Sequence, residues 1–491
     1  MVSNFGVHPD PGDAPPNGGG ASLERLRRGA PIAALSARTA GGAIALGARG
    51  KLAGPEGREF HARTAERYAE LLGRSKGALM KTGQMMSFVS GNPAVPAEFQ
   101  PIYHAALERL RQDAPPMEPQ LACSTLEREL RGSTESLFAE VDWNPLAAAS
   151  IGQVHAARLH DGREVAVKIQ YPGAAAAIHA DLKNHELLAA FIGLITGLGA
   201  KKVSFDIRGV AREISAHISK ELDYRLEAAN QREFAEIYRG HPFIHVPAVI
   251  DELSSTRVLT QELARGKSWD EAVLAGQALR DSWAEAIYRF VYATHHRFRL
   301  FHADPHPGNY LFHDDGSVSF LDFGCIKRFA PEHADAMIAV GRACLRSDVR
   351  GTWRASVEGG FWRSSDPVTP EEVFAYWREP WELWWAEQPF TVTPEYVAAW
   401  MERRFSPTGP SANAFRYITA SPEYAFLSRI EMGEASIVGA LRASNYWGSM
   451  AAEFFEQAAP FTPMGKLEHA FFAEREAGGS TARRRAGTSA L

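Results

Sequence analysis

Asp304, Asn309 and Asp322 are the residues whose types and spacing could do chemistry. They lie in Phe301-His-Ala-Asp-Pro-His-Pro-Gly-Asn309 and Leu321-Asp-Phe-Gly324, at intervals of five and thirteen residues. Phosphoryl-transfer centres hold a catalytic Asp, a metal-ligating Asn and a metal-ligating Asp at those intervals. Oxygen-bearing side chains at two tight turns suit Mg²⁺, a hard ion that takes few protein ligands and completes its shell with phosphate oxygens. A bare Asp-Phe-Gly is common and carries little. The two spacings together carry the reading.

These turns need a nucleotide-holding element upstream. Glu164-Val-Ala-Val-Lys-Ile-Gln170 alternates like a buried strand after an Asp161-Gly162 turn, and Lys168 interrupts it. A lysine in an apolar strand is costly unless it meets an anion. ATP phosphates and a carboxylate on a neighbouring helix both serve; the plain alternative is a strand-end lysine snorkelling to solvent. The preceding phosphate loop departs from the usual glycine-rich form. No G-x-G-x-x-G occurs, and the chain reads Leu146-Ala-Ala-Ala-Ser-Ile-Gly-Gln-Val-His-Ala156. Alanines exclude the left-handed backbone that glycine allows. Three in a row imply a stiffer loop, with a helical turn aiming its N–H groups at the phosphates.

The chain resembles the AarF/UbiB family of atypical kinases, including its mitochondrial coenzyme Q branch. Lys81-Thr-Gly-Gln84 resembles the family's K-x-G-Q signature, and Ala147-Ala-Ala-Ser-Ile-Gly-Gln153 its alanine-rich loop. Glu221-Leu-Asp223 resembles its E-x-D motif, and the H-x-D-x-H-x-x-N and D-F-G motifs complete the set. The segment from Gly240-His-Pro-Phe through Asp251-Glu-Leu resembles the coenzyme Q branch, and the whole likeness covers roughly residues 60–450.

The resemblance implies roles. Lys168 binds phosphate and Glu227 is its ion-pair partner, while Ala147, Ala148, Ala149, Ser150, Ile151, Gly152 and Gln153 form the nucleotide loop. Asp304 is the catalytic Asp, Asn309 and Asp322 hold Mg²⁺, and His302 is the structural histidine of the catalytic loop. Lys81 and Gln84 sit on an extension helix that folds over the substrate cleft, with Glu221 and Asp223 near them. The implied cofactors are ATP or ADP with Mg²⁺. Implied partners are an isoprenoid lipid or membrane surface and proteins of a biosynthetic complex.

Two features argue against an ordinary protein kinase. Position 303 is alanine, so the arginine that answers a phosphorylated activation loop is missing. Ala330-Pro-Glu332 starts six residues past Gly324, too soon for a peptide-binding platform. Pro331 reads instead as the first residue of a helix, with Glu332 favourable to its N-terminus. The expected activity is ATP hydrolysis, or phosphate transfer to a small or lipid-like molecule. The rivals are a non-catalytic nucleotide-gated binding module and a small-molecule phosphotransferase of the aminoglycoside or choline type.

Bulk properties bound these readings. The chain has 491 residues and a net charge of −5, with no basic block to suggest nucleic acid. Cys123, Cys325 and Cys344 have neither metal spacing nor disulfide arithmetic, which fits a reducing compartment. The start lacks the basic n-region and apolar core of a signal peptide. Arg38 and Arg49 bound the Gly-bearing stretch Ala33–Ala48 too closely for a membrane span, and Leu187–Ala200 is also too short. A cytoplasmic protein at a membrane surface is expected.

The expected fold is α+β, a two-lobed kinase-like core with a helical N-terminal extension and a largely helical C-lobe. Residues 1–50 read as disordered with an interfacial segment, and 51–115 as the extension. Residues 116–265 read as the N-lobe with a helical insertion, 266–475 as the C-lobe, and 476–491 as a disordered tail. One long helix is predicted over Asp270–Arg299, and only helices after 331. Trp377, Trp381, Trp384 and Trp385, with Phe374, are expected on one helix face, as core or as an isoprenoid groove.

Overall fold

The computed structural model describes residues 55–75, 117–149, 151–182, 207–405, 409–419, 424 and 427–488. Lys81, Gln84, Ser150 and the run Leu187–Ala200 lie outside them. Of the extension, helix α1 (Pro55–Ser75) is described.

The N-lobe is a sheet under a helix. Helix α2 (Pro119–Leu130) starts on Pro119 and stops where Arg131 turns left-handed at φ 55°. It buries Ala122 and Leu126 against Val165, Val167 and Ile169. The one-turn α3 (Thr134–Leu137) leads into β1 (Glu140–Val141), β2 (Ala147–Ala149), β3 (Gly152–Arg158) and β4 (Glu164–Gln170). These join β6 (Val258–Glu262) in an antiparallel sheet ordered β1-β3-β4-β6, with β2 on β3. The β3–β4 hairpin closes at the predicted turn, where Gly162 adopts φ 90°, a conformation that suits glycine.

Helices α4 (Ala174–Leu182) and α5 (Ile207–Glu221) precede α6 (Tyr224–Ile237). Asp223 caps α6 by accepting from the Arg225 N–H at 3.0 Å. The alanine segment differs from the helical turn expected for it. Ala147, Ala148 and Ala149 pair with Val154, Gln153 and Gly152, so the segment is an edge strand. Pairing with β3 satisfies its backbone groups, which local alanine propensity could not anticipate.

The C-lobe is built on a central helix. The expected Asp270–Arg299 helix is in fact two: α7 (Trp269–Ala272) and α8 (Gln277–Phe298). A Ser268–Glu271 capping box closes around the first, and Gly276 caps the second. α8 is buried nearly all round, and Arg299 at φ 57° ends it. The chain then enters β7 (Leu300–His302), which pairs with β10 (Ile326–Arg328). Between them, β8 (Tyr310–Phe312) and β9 (Val318–Phe320) form a hairpin, with β5 (Ile244–His245) parallel on β9. These short pairings fix both turns of the site.

Pro331 is the first residue of α9 (Pro331–Leu345), as predicted. Helices α10 (Val349–Glu358), α11 (Pro370–Arg378), α12 (Pro394–Phe405), α13 (Ala412–Tyr417), α14 (Leu427–Ala440), α15 (Trp447–Glu456) and α16 (Pro463–Thr488) follow. The region is not wholly helical, because β11 (Phe390–Thr391) pairs with β12 (Ser444–Asn445). α16 also continues through residues 476–488, where a disordered tail was expected.

The tryptophan stripe does not lie on one helix. α11 ends at Arg378, and the next six residues form a 3₁₀ segment in which Trp381 leaves helical geometry at φ −106°. Pro380 sits in that segment and withholds a helical N–H. The rings still associate: Trp377 stacks on Trp381 at 5.7 Å, and Trp381 on Trp384 at 4.6 Å. Trp377 and Trp384 are core residues.

A buried ionic knot ties the C-lobe together. Arg289 of α8, inaccessible to solvent, bonds Glu285 at 2.7 Å, Glu453 of α15 at 2.8 Å and Glu468 of α16 at 3.0 Å. It also donates to the Thr462 hydroxyl at 2.9 Å. One guanidinium thus satisfies three helices, which its five fixed donors allow.

Candidate functional site

Lys168 stands on β4 where one sheet face meets α6. Its Nζ donates to Glu227 Oε1 at 2.7 Å and Oε2 at 3.0 Å, and to Asp322 Oδ2 at 3.1 Å. Lys168 is 14% exposed and Glu227 3%. Burial opposes the ammonium, but the Asp322 and Glu227 carboxylates outweigh it and hold Lys168 well above its ordinary value. Burial pushes Glu227 upward and the ammonium pulls it back. Asn230, one turn along α6, donates to the Phe323 carbonyl at 2.9 Å, and Phe234 packs on the Phe323 ring at 5.1 Å. α6 is therefore registered on the Asp-Phe-Gly segment itself.

His302 sits between Phe290 and Phe323, and its Nε2 bonds the Asp322 carbonyl. Burial keeps this imidazole below its usual range. It links the two turns, as expected of a structural histidine. The Gly324 N–H donates to Asp322 Oδ1 at 2.9 Å, orienting the carboxylate.

Asp304 and Asn309 lie in one loop. Asn309 Nδ2 donates to the Asp304 carbonyl at 3.0 Å and to Asp304 Oδ2 at 3.1 Å. Asp304 Oδ1 accepts from Arg429 Nη2 of α14, a nearly buried side chain. The sequence reading missed Arg429. Its only signal was a charged residue near the start of Leu427–Ala440, a helix that also carries Glu431 and Glu434, and periodicity alone assigns such a charge to no site. α14 is held close to the loop by Gly433, where an added Cβ would lie 2.3 Å from Pro305 Cγ.

The alanine-rich segment divides into two faces. Ala147 and Ala148 are exposed, whereas Ile151 and Gln153 turn inward. Gln153 accepts from the Met117 N–H at 2.8 Å and meets His155 Nε2 at 2.8 Å, so its side chain braces the N-lobe core. At Gly152 a Cβ would lie 2.3 Å from the Ile169 carbonyl and 3.0 Å from the Tyr224 hydroxyl, which requires glycine there. Glu221 approaches the second turn, its Cγ 3.7 Å from the position of a Gly324 Cβ. Asp223 pairs with Arg225 Nη2 at 2.7 Å while capping α6.

The donor set fits Mg²⁺ only in partnership with a ligand. Among the described residues no group of three or more His, Cys, Asp or Glu is arranged to hold a metal. Asp322 offers a carboxylate, and Asn309, its amide nitrogen committed to Asp304, offers a carbonyl oxygen. One carboxylate and one amide suit an ion whose remaining ligands are phosphate oxygens and water.

A strand lysine paired to a helix glutamate, above two acidic turns, defines the protein-kinase-like class of folds. Residues 109–356, about half of the chain, match the ABC1 atypical kinase-like domain, and the chain belongs to that atypical kinase family, the AarF/UbiB group. It is 36% identical over 286 residues to "Atypical kinase COQ8B, mitochondrial" of Rattus norvegicus, covering 58% of this chain and 52% of that protein. It is 33% identical over 303 residues to "Atypical kinase coq-8, mitochondrial" of Caenorhabditis elegans, covering 60% and 38%. The match thus spans about half the length, or less, of these curated relatives. The structure in the Rv3197–erythromycin complex from Mycobacterium tuberculosis aligns with a TM-score of 0.57 at 30% identity, covering 78% of this chain and 93% of that one.

Proposed function

We propose that the cleft binds a Mg²⁺-adenine nucleotide and that the chain is an ATPase or phosphotransferase acting on a small or lipid-like molecule, in support of quinone or lipid metabolism. The observation that carries this reading is the Lys168–Glu227–Asp322 cluster, with Nζ 2.7 and 3.1 Å from the two carboxylates. In it a buried cation is poised to exchange one carboxylate for phosphate oxygens while Glu227 keeps it oriented. The metal, when bound, would neutralise charge building on the phosphates. Asp322 and Asn309 would hold it. Asp304 would orient the attacking hydroxyl or water, and Arg429 and Asn309 would fix its two carboxylate oxygens. Little covalent chemistry falls to the protein, and positioning with charge stabilisation is its contribution.

A membrane surface is the proposed workplace, with proteins of a biosynthetic complex as neighbours and an isoprenoid lipid as the acceptor or effector. The relatives are named mitochondrial, and among the described residues no helix is long and apolar enough to cross a membrane. Lys81 and Gln84, outside the described residues, are proposed to cover the cleft, with Glu221 and Asp223 beneath.

One observation favours a second reading. Asp304 is engaged at both oxygens, by Arg429 and by Asn309, which also suits a protein that binds nucleotide without turning it over. The deciding experiment is Mg²⁺-ATP hydrolysis by the purified chain, with and without anionic liposomes, using Asp304→Asn as control. Turnover that rises with lipid and vanishes in the variant supports the membrane-coupled ATPase. Tight nucleotide binding without turnover replaces it with the nucleotide-gated module.

A further inference from the structure

Away from the cleft, the C-lobe holds a partly open pocket of about 50 Å³ lined by Tyr288, Tyr292, Trp381, Trp384, Tyr396 and Trp400. A cavity of about 30 Å³ adjoins it across Tyr292, Trp381 and Glu431. Two acids of α14, Glu431 and Glu434, reach the larger space. Glu431 has a countercharge in Arg404 at 3.6 Å, itself buried and bonded to the Tyr376 hydroxyl at 3.1 Å. Glu434 is 5% exposed. Its Oε1 has no hydrogen-bond partner among the described residues, and neither does Trp400 Nε1 of the same lining.

A buried carboxyl oxygen without a partner is costly, and the Tyr288 and Tyr396 hydroxyls beside it also lack one among the described residues, so the space calls for an occupant. The lining narrows the class. An anion would be repelled by two acids, and a hard metal ion would find too few oxygens. A neutral hydrocarbon would leave Glu434 unanswered. Aromatic faces around one carboxylate attract an organic cation, through the ring quadrupoles and the countercharge together. Burial and the neighbouring Glu431 both push Glu434 well above the usual carboxylate range. The space exceeds the roughly 10–15 Å³ that a single water needs, and its size limits a cation to a compact alkylammonium head.

We propose that this cavity binds an organic ammonium ion, with Glu434 as its counter-ion and the tryptophan and tyrosine rings as its cage. The assignment does not depend on nucleotide binding at the cleft.

Tetramethylammonium is the probe, titrated into the full chain at constant ionic strength without nucleotide, and read by tryptophan fluorescence and calorimetry. Uncharged tert-butanol is the shape control. Saturable binding at least tenfold tighter than tert-butanol, weakened at least tenfold in E434Q, is expected. Near-UV circular dichroism establishes that the variant keeps its packing. If E434Q does not fold, Y396L, which removes one ring of the cage, carries the test with the same tenfold loss expected. No saturable binding, equal binding of tert-butanol, or unchanged affinity in the folded variant would each overturn the proposal and leave a water-filled cavity.

Discussion

Arg429 of α14 donates to Oδ1 of Asp304, a residue 125 positions earlier in the chain, while Asn309 holds the other carboxylate oxygen at 3.1 Å. Asp304, the proposed catalytic Asp, is thereby fixed by a helix of the far C-lobe. Replacing Arg429 by Met should lower Mg²⁺-ATP turnover at least tenfold, about 1.4 kcal/mol in the barrier. Arg429→Lys should restore part of it, because a point charge replaces the fork imperfectly. Steady-state kcat is the readout, and equal rates in all three proteins would remove Arg429 from the mechanism.

Asp322→Asn should abolish Mg²⁺-dependent nucleotide binding while leaving the Lys168–Glu227 pair intact. Calorimetric titration with ADP, with and without Mg²⁺, measures it. Full Mg²⁺-dependent affinity in the variant would mean that the metal is held elsewhere.

Gly152 and Ala148 should respond oppositely to one methyl group. A Cβ on Gly152 meets the Ile169 carbonyl at 2.3 Å, so Gly152→Ala should cost about 1–3 kcal/mol of stability through forced backbone movement. Ala148 is exposed on an edge strand, and Ala148→Gly should cost only about 0.5–1 kcal/mol while shifting the balance between ADP and ATP affinity. Urea unfolding and paired nucleotide titrations separate the two effects.

Arg289→Met should destabilise the fold by about 3–5 kcal/mol, because it strands three buried carboxyls. Chemical denaturation is the measurement. A loss below about 1 kcal/mol, the range of a surface ion pair, would show that the knot adds little.

Stability should fall in acid because of buried histidines. Burial depresses His241 and His296 to about 3 and His295 to about 4. The unfolded chain takes up these protons below about 6.5 and the folded chain does not. Their stabilisation is therefore complete above about 6.5 and is lost as pH falls toward 3–4. Glu468, raised to about 7 by burial, acts the other way, favouring the fold as pH drops from about 7 to 4.5. Single variants resolve the two. His296→Phe should flatten the acid limb of a Tm-against-pH curve, and an unchanged limb would clear His296 of the effect.

The sequence by itself determined the parts whose meaning is local. Asp304, Asn309 and Asp322 were legible because turn chemistry and spacing define them within one stretch. Lys168 stood out as the polar break in an apolar strand. The Asp161-Gly162 turn and Pro331 at a helix start are positions where backbone geometry dictates the residue. Glu227 came only from family resemblance, since no local rule pairs a lysine with a glutamate 59 positions away.

Tertiary structure decided what depends on distant partners. The alanine segment became a strand because β3 supplies its hydrogen bonds, and Gln153 turned inward because the Met117 backbone needed an acceptor. The tryptophan stripe broke at Pro380 yet still stacked, since packing rather than helical period aligns those rings. Arg429 reached Asp304, and one carboxyl oxygen of Glu434 was left without a partner among the described residues, through the placement of α14. Charge in a helix reads as solvated face until burial shows otherwise, and burial is a property of the whole fold.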